Sequence, residues 1–356
     1  MSVKVLVVDD SALMRKLFTE TFIRNGFEVA SARDGEEALS KAAEFRPEVI
    51  TLDINMPVMD GITCLSLLKK VHQCPVLMLS SLTSKGALVT LEALALGAAD
   101  YVLKPGGTVT RDISEIEKEL VEKISALAGK PVSRTARPVR QAAAPVSRAT
   151  PPARPAPASA GDIQYVFIGV STGGPKKLEQ ILTRLPADFP CPVIVAQHMP
   201  AQFTAALAKR LDNLCHLHVV EVSSRMRIEP GHIYMAKGDA DISLLKNADH
   251  IFARPVPASP KHLWHPSVDR MVESATGCIN PANMLCIQLT GMGYDGAAAM
   301  SQAYQRGAVT IAESENTATV FGMPKELIQT GCASHILDSN QIASKVLNIC
   351  KIAGVV

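Results

Sequence analysis

The chain has no hydrophobic run long enough to cross a membrane. Although 47% of its 356 residues are hydrophobic, no apolar stretch reaches the ~18 residues a spanning helix needs. It also has little net charge. Lys and Arg number 36 against 34 Asp and Glu, a formal +2, so nothing global points to nucleic acid. The amino terminus, MSVKVLVVDD, enters a strand pattern at once, without the apolar core and cleavage site of a secretory signal. Its eight cysteines, Cys64, Cys74, Cys191, Cys215, Cys278, Cys286, Cys332 and Cys350, form no C-x-x-C and no zinc-type pairing. They read as reduced core residues. These absences imply a cytoplasmic protein that neither inserts into membranes nor binds nucleic acid.

The length suggests two domains, and one segment separates them by composition. Residues 129–162 carry Pro131, Pro138, Pro145, Pro151, Pro152, Pro155 and Pro157 among Ala, Ser, Thr and Arg. With almost no large apolar side chains, this stretch cannot offset the entropy of ordering. It reads as an extended, semi-stiff linker.

Before the linker, KVLVV (4–8), EVASA (28–32), VITLD (49–53), PVLMLS (75–80) and DYVLK (100–104) read as strands alternating with helices. That alternation predicts a doubly wound, five-stranded parallel sheet over residues 1–128. Asp9 and Asp10 end the first strand, Asp53 the third, Ser80 the fourth and Lys104 the fifth. Strand ends of a parallel sheet share one edge, so these side chains converge. Clustered carboxylates repel one another unless a hard divalent cation takes their oxygens, and Mg²⁺ suits them. Lys104 and Ser80 would then bind an incoming phosphoryl group, with Asp53 the nucleophile. Helix capping by Asp10 or Asp60 is the competing account of individual residues.

VDDS (8–11), LDINMPVMDG (52–61), MLSS (78–81) and LKPGG (103–107) resemble the response-regulator receiver domain, which has a flavodoxin-like fold. The resemblance implies that Asp53 accepts phosphate from a histidine kinase. It implies that Asp9, Asp10, Asp53 and the backbone carbonyl of Asn55 hold Mg²⁺. Ser80 and Lys104 would contact the phosphoryl oxygens. Tyr101 matches the family's aromatic switch position, where core packing is the alternative.

After the linker, strands are expected at 165–170, 192–196, 218–221, 284–290 and 308–312, with helices at 202–214 and 295–306. Residues 231–245 read as a hairpin. The second half, 163–352, is therefore also α/β and doubly wound. It opens with GVSTGGP (169–175), which fits G-x-S-x-G. A phosphate loop is excluded, because Pro175 stands where the lysine belongs; a dinucleotide fingerprint is excluded by Ser171. A plain turn, with Ser171 or Thr172 capping a helix that starts near Pro175, remains open on local grounds. The partners favour a nucleophile. His198 in QHMP and Asp295 in TGMGYDGA both follow predicted strands, as Ser171 does, at the edge where such sheets build sites. An imidazole base and an orienting carboxylate are what a hydroxyl needs to attack a carbonyl. Amides around Ser171 and Met292 offer an oxyanion hole. His265 in WHPSVD is the rival histidine, with a structural or substrate-contacting role in view; Asp295 as a helix cap is the rival account of the acid.

IGVSTGGP (168–175), AQHMP (196–200), RIEPGHIYMAKGD (227–239), HPSVD (265–269) and LTGMGYDGAAAM (289–300) resemble the catalytic domain of the chemotaxis protein-glutamate methylesterases, CheB. The resemblance implies Ser171 as nucleophile, His198 as base and Asp295 as its orienting acid, with Thr172 and Met292 lining the site. It implies demethylation of glutamate methyl esters, and deamidation of selected glutamines, on methyl-accepting chemoreceptors. No cofactor is implied for the ester hydrolysis. The sequence departs from the family's usual pattern at Ala240-Asp241-Ile242, next to the expected substrate groove. A response regulator with a DNA-binding or non-catalytic output is the alternative, and near-neutral charge and the long second half weigh against DNA binding.

Overall fold

Ser11, Asp34, Asp60 and Thr83 each stand in extended backbone before a helical run, and each side chain accepts from the amide three residues on. These caps satisfy amides that the first turn leaves unpaired, and they fix where four helices begin. Asp60 is thus a cap, as its alternative reading held, whereas Ser11 and not Asp10 caps the first helix. The computed structural model describes residues 2–81, 83–104, 113–129 and 163–350. All but Gly129 of the expected linker lies outside them.

The first half runs β1 (Lys4–Val8), α1 (Ala12–Arg24), β2 (Glu28–Ala32), α2 (Gly35–Phe45), β3 (Val49–Asp53), α3 (Gly61–Val71), β4 (Val76–Ser80), α4 (Ser84–Leu96), β5 (Asp100–Leu103) and α5 (Ile113–Leu127). Its five strands are all parallel, in the order β2-β1-β3-β4-β5. The central strands β3 and β4 are buried along their whole length, as expected of a sheet covered by helices on both faces. Ile116, Leu120, Ile124 and Leu127 form the buried stripe of α5, at helical spacing.

The second half runs β6 (Tyr165–Val170), α6 (Gly174–Leu182), β7 (Val193–Gln197), α7 (Ala201–Asp212), β8 (His218–Val222), β9 (Met226–Arg227), β10 (His232–Ala236), β11 (Ala240–Asn247), β12 (His250–Pro257), α8 (Val268–Thr276), β13 (Met284–Gln288), α9 (Ala297–Gln305), β14 (Val309–Glu313), α10 (Met323–Gln329), β15 (His335–Leu337) and α11 (Ser339–Ile349). Seven strands make a parallel sheet, in the order β15-β14-β13-β6-β7-β10-β8. The expected hairpin at 231–245 is corrected. Its first part, β10, is a parallel strand between β7 and β8; the hairpin is β11 with β12, to which β9 adds. Burial explains the difference. Ile233 through Ala236 are buried in succession, suiting a strand covered on both faces, whereas from Ile242 onward β11 alternates buried Ile242 and Leu244 with the more exposed Ser243 and Leu245. The short edge strand β15 was not expected.

The two halves touch. Helix α4 packs against α6 and α7, and Tyr101 of β5 stacks on Phe203 of α7 with centroids 4.5 Å apart and rings 6° from parallel. Both aromatic residues are buried, so the inter-half surface is closed to water at this point.

Candidate active site

Strand order reverses on either side of β6, which lies between β13 and β7. A crevice opens at such a switch point, beyond the carboxyl ends of the strands. Ser171 follows β6 directly, His198 follows β7 and Asp295 follows β13 by way of a loop. Ser171 and His198 share a cleft of about 320 Å³ with Thr172, Gln197, Trp264 and Met292.

The turn that carries Ser171 is held by the backbone. The Ser171 amide donates to the Thr290 carbonyl at 3.0 Å, and the Ser171 carbonyl accepts from the Gly174 amide at 2.8 Å and from Gln197 Nε2 at 3.0 Å. Helix α6 is capped by Gly173, at φ 79°, with no side-chain bond. This removes the reading in which Ser171 or Thr172 serves as its cap, while Pro175 does sit in the first turn. Gly173 tolerates no side chain, because a Cβ there would lie 2.3 Å from Thr319 Oγ1. Asp295 is likewise not a cap: Gly296 occupies that position at α9.

His198 and Asp295 meet at 2.8 Å, Nε2 to Oδ2. Asp295 is almost wholly buried and accepts from the Val268 amide (2.6 Å), the Asp269 amide (3.0 Å) and Ser267 Oγ (3.0 Å) as well. Burial works against its charge, but the hydrogen bond and charge of His198 and the two amides hold its carboxyl below the ordinary range. An ionised carboxylate only accepts, so Nε2 carries the proton of a neutral ring. His198 Nδ1 is then the basic nitrogen. It is buried without a hydrogen-bond partner among the described residues. The described residues show no hydrogen bond to Ser171 Oγ, a contact that catalytic serines often make only with substrate present.

The oxyanion expectation needs adjustment. The amides of Ser171 and Gly291 are committed to Thr290 and Val320 carbonyls, so neither can face a substrate oxygen. Thr172 and Met292 flank the cleft. The Thr172 side chain, however, donates across to Asp100 Oδ2 of β5 at 2.8 Å.

That contact belongs to a cluster contributed by the other half. Lys123 Nζ lies 2.8 Å from Asp100 Oδ2 and 3.2 Å from Glu119 Oε1. Burial acts to lower Lys123, but the charges of Asp100 and Glu119 outweigh it and raise its ammonium above the usual range. Asp100, Tyr101, Leu103, Glu119 and Lys123 all line the cleft that holds Ser171.

In the first half, Asp9, Asp10 and Asp53 bring carboxylate oxygens within 4.8 Å of one another. Lys104 Nζ stands 2.8 Å from Asp9 and 2.7 Å from Asp53. Burial pushes the Asp53 carboxyl up, with Lys104 opposing. Ser80 is buried at the end of β4, its hydroxyl 2.7 Å from Thr90 Oγ1. The Asn55 amide reaches Asp53 Oδ1 at 3.4 Å. A set of clustered carboxylates is the donor chemistry a hard divalent cation prefers. His262, Asp269 and Asp295 also gather ligand atoms within 4.8 Å, but both Asp295 oxygens are already taken by His198, amides and Ser267.

Comparison with known proteins agrees with this layout. The family described as CheB methylesterase matches residues 166–346, and the response regulator receiver domain matches residues 5–111. A protein-glutamate methylesterase/protein-glutamine glutaminase of Rhodospirillum rubrum is 49% identical over 96% of this chain and 95% of its own length. The chain belongs to the CheB methylesterase family. A relative of the same description from Vibrio cholerae is 41% identical, with 94% of each chain covered. The crystal structure of the Thermotoga maritima CheB methylesterase catalytic domain superposes with a TM-score of 0.50 at 36% identity, covering 52% of this chain and 97% of that one.

Sequence reasoning missed Gln197, Asp100, Lys123 and Phe203. The first orients the serine turn, and the others form the contact between halves. It also missed Glu313, a fully buried acid that accepts from the Thr290 amide at 2.8 Å and pairs with Lys177 at 3.1 Å beneath the site. Gln197 stood legibly at a strand end beside His198. The inter-half residues carried no signal, because a contact between two sheets has no sequence period.

Asp269, whose amide bonds Asp295, gives a pH test. Burial, with the Asp295 charge adding, pushes its carboxyl up from 3.8 to about 6. An acid raised in the folded state contributes most favourably below its unfolded value and loses that contribution as pH rises through the folded one. Asp269→Asn, which does not titrate, should therefore gain on the parent by on the order of 2 kcal/mol between pH 4 and pH 7. Urea unfolding of both proteins across that range reads the gap; a gap independent of pH would contradict the assignment.

Proposed function

We propose that this CheB-family chain hydrolyses γ-glutamyl methyl esters of chemoreceptors, and deamidates selected receptor glutamines, under control of phosphorylation at Asp53. The observation that carries the reading is the buried His198–Asp295 pair at 2.8 Å, beside Ser171 in one cleft. In the proposed mechanism His198 Nδ1 takes the Ser171 hydroxyl proton as Oγ attacks the ester carbonyl. Asp295 stabilises the resulting imidazolium through Nε2–H. The imidazolium gives its proton to the departing methoxy group, releasing methanol and leaving Ser171 acylated. Water then surrenders a proton to Nδ1 and attacks the acyl carbon; the imidazolium returns that proton to Ser171 Oγ as the acyl–oxygen bond breaks, freeing the glutamate and restoring the site. With an amide the same path releases ammonia. Thr172 and Met292, which line the cleft, would supply backbone donors to the developing oxyanion.

The receiver, residues 1–128, would be joined by a linker at 129–162 to the catalytic domain, 163–352. Asp9, Asp10, Asp53 and the Asn55 carbonyl would hold Mg²⁺, which when bound neutralises charge on the phosphoryl group. Asp53 would accept that group from a histidine kinase, with Ser80 and Lys104 contacting its oxygens. Lys104 now bridges Asp9 and Asp53, so phosphorylation must redirect its ammonium. We place the protein in the cytoplasm, where receptor signalling helices lie; among the described residues no helix is long and apolar enough to cross a membrane.

Two contacts support inhibition by the unphosphorylated receiver: the Tyr101–Phe203 stack and the Thr172–Asp100 hydrogen bond. Both place receiver residues at the serine cleft. Phosphorylation would weaken this docking by the few kcal/mol typical of allosteric coupling.

Ser171→Ala should abolish methanol release from methylated receptor membranes while leaving phosphate uptake by the receiver unchanged. Retention of a tenth of the parent rate would remove Ser171 as the nucleophile. Asp100→Ala frees Thr172 and loosens the closed form, so the unphosphorylated rate should rise about five-fold, the worth of roughly one hydrogen bond. The rate with a small phosphodonor should change little. A lower unphosphorylated rate would show that Asp100 supports the site and does not restrain it.

A further inference from the structure

Asp241 is fully buried and gathers donors from one segment. Its Oδ1 accepts from His265 Nδ1 and the Ser267 amide, each at 2.8 Å, and its Oδ2 from Arg270 Nη1 at 2.7 Å and the Ser259 amide at 3.0 Å. All four donors lie in 259–270, the stretch joining β12 to α8 together with the first turn of α8. Leu263, Trp264 and His265 of this stretch line the cleft with Ser171 and His198. Trp264 lies parallel to the His198 ring at 6.0 Å and edge-on to Tyr294 at 5.0 Å. The clamp therefore fixes one wall of the site.

The clamp also fixes the hydrogen-bonding state of His265. Burial disfavours the Asp241 charge, but His265, the two amides and Arg270 overcome it and hold the carboxyl below its ordinary range. An ionised carboxylate only accepts, so His265 Nδ1 donates. With Nδ1 the donor, the neutral tautomer of the ring is fixed. Its Nε2 then carries a lone pair. No described residue bonds that nitrogen, and the side chain keeps 22% of its surface exposed at the cleft.

We propose that His265 is a specificity-determining residue, whose Nε2 accepts a hydrogen bond from the carboxamide N–H of a glutamine side chain in the cleft. A methyl ester has no donor to offer it. The lone pair thus favours the amide over the ester, in a reaction where one serine treats both carbonyls alike. A fixed polar group discriminates strongly between substrates that can and cannot pair with it. The assignment rests on the proposed reading that this site hydrolyses both bonds.

The test compares the full-length parent with His265→Asn and His265→Phe. Asn keeps an amide donor near the Nδ1 position for Asp241 but has nothing at Nε2; Phe removes both. Methanol release is measured from methylated receptor membranes, and ammonia release from the same receptors carrying glutamine, with circular dichroism confirming the fold. In both variants the ratio of ammonia to methanol release should fall about five- to ten-fold below the parent's, as expected for one neutral hydrogen bond. Should the Phe variant unfold, the Asn variant decides. Equal losses in both reactions would make His265 only a strut of the cleft wall and overturn the proposal, as would unchanged ammonia release. A parent that releases neither product would overturn the underlying reading instead, a result the parent control separates from the others.

Discussion

Parallel strands turn all their carboxyl ends to one edge, and both proposed sites are built on that constraint. In the first half it brings Asp9, Asp10, Asp53, Ser80 and Lys104 to one rim, from four strands separated in sequence. In the second it sets Ser171, His198 and the loop that carries Asp295 beyond the carboxyl ends of the neighbouring strands β6, β7 and β13. Buried sheet cores hold these edges in place, because central strands covered on both faces cannot slip register without exposing their apolar side chains. The sites inherit that rigidity.

The catalytic edge adds its own anchoring. Asp295 is held by two amides, a hydroxyl and His198, so its charge is retained despite burial and the His198 proton is confined to Nε2. Loss of any one donor leaves a buried carboxylate short of a partner, at a cost of about 1–3 kcal/mol. Below the serine, the Lys177–Glu313 pair and Gln197 support the turn. The active-site geometry is therefore a property of the packed domain and owes little to loop sequence alone.

Much of this was legible in the sequence, for particular reasons. The five receiver strands show as short apolar runs with Asp, Ser or Lys at their ends, and in the structure each lies within a residue of its expected position. Ser171, His198 and Asp295 were legible because each follows such a run. β10 was misassigned because its buried succession HIYMA leads straight into the alternating β11, and the two patterns blur at Gly238-Asp239. The identity of the basic nitrogen of His198 was not legible, since ring orientation is set by three-dimensional partners. Nor was the Asp241 clamp, whose donors lie 18 to 29 residues away.

The Thr172–Asp100 bond and the Tyr101–Phe203 stack join the two edges, so the central claim is that the unphosphorylated receiver restrains the serine by covering it. The most direct measurement is the rate of methanol release by a fragment of residues 160–356 beside the full-length protein, each with and without a small phosphodonor. The account predicts that the fragment outpaces the unphosphorylated parent and ignores the phosphodonor, while the parent is stimulated by it. A fragment no faster than the unphosphorylated parent would contradict covering and require a receiver that activates by contact.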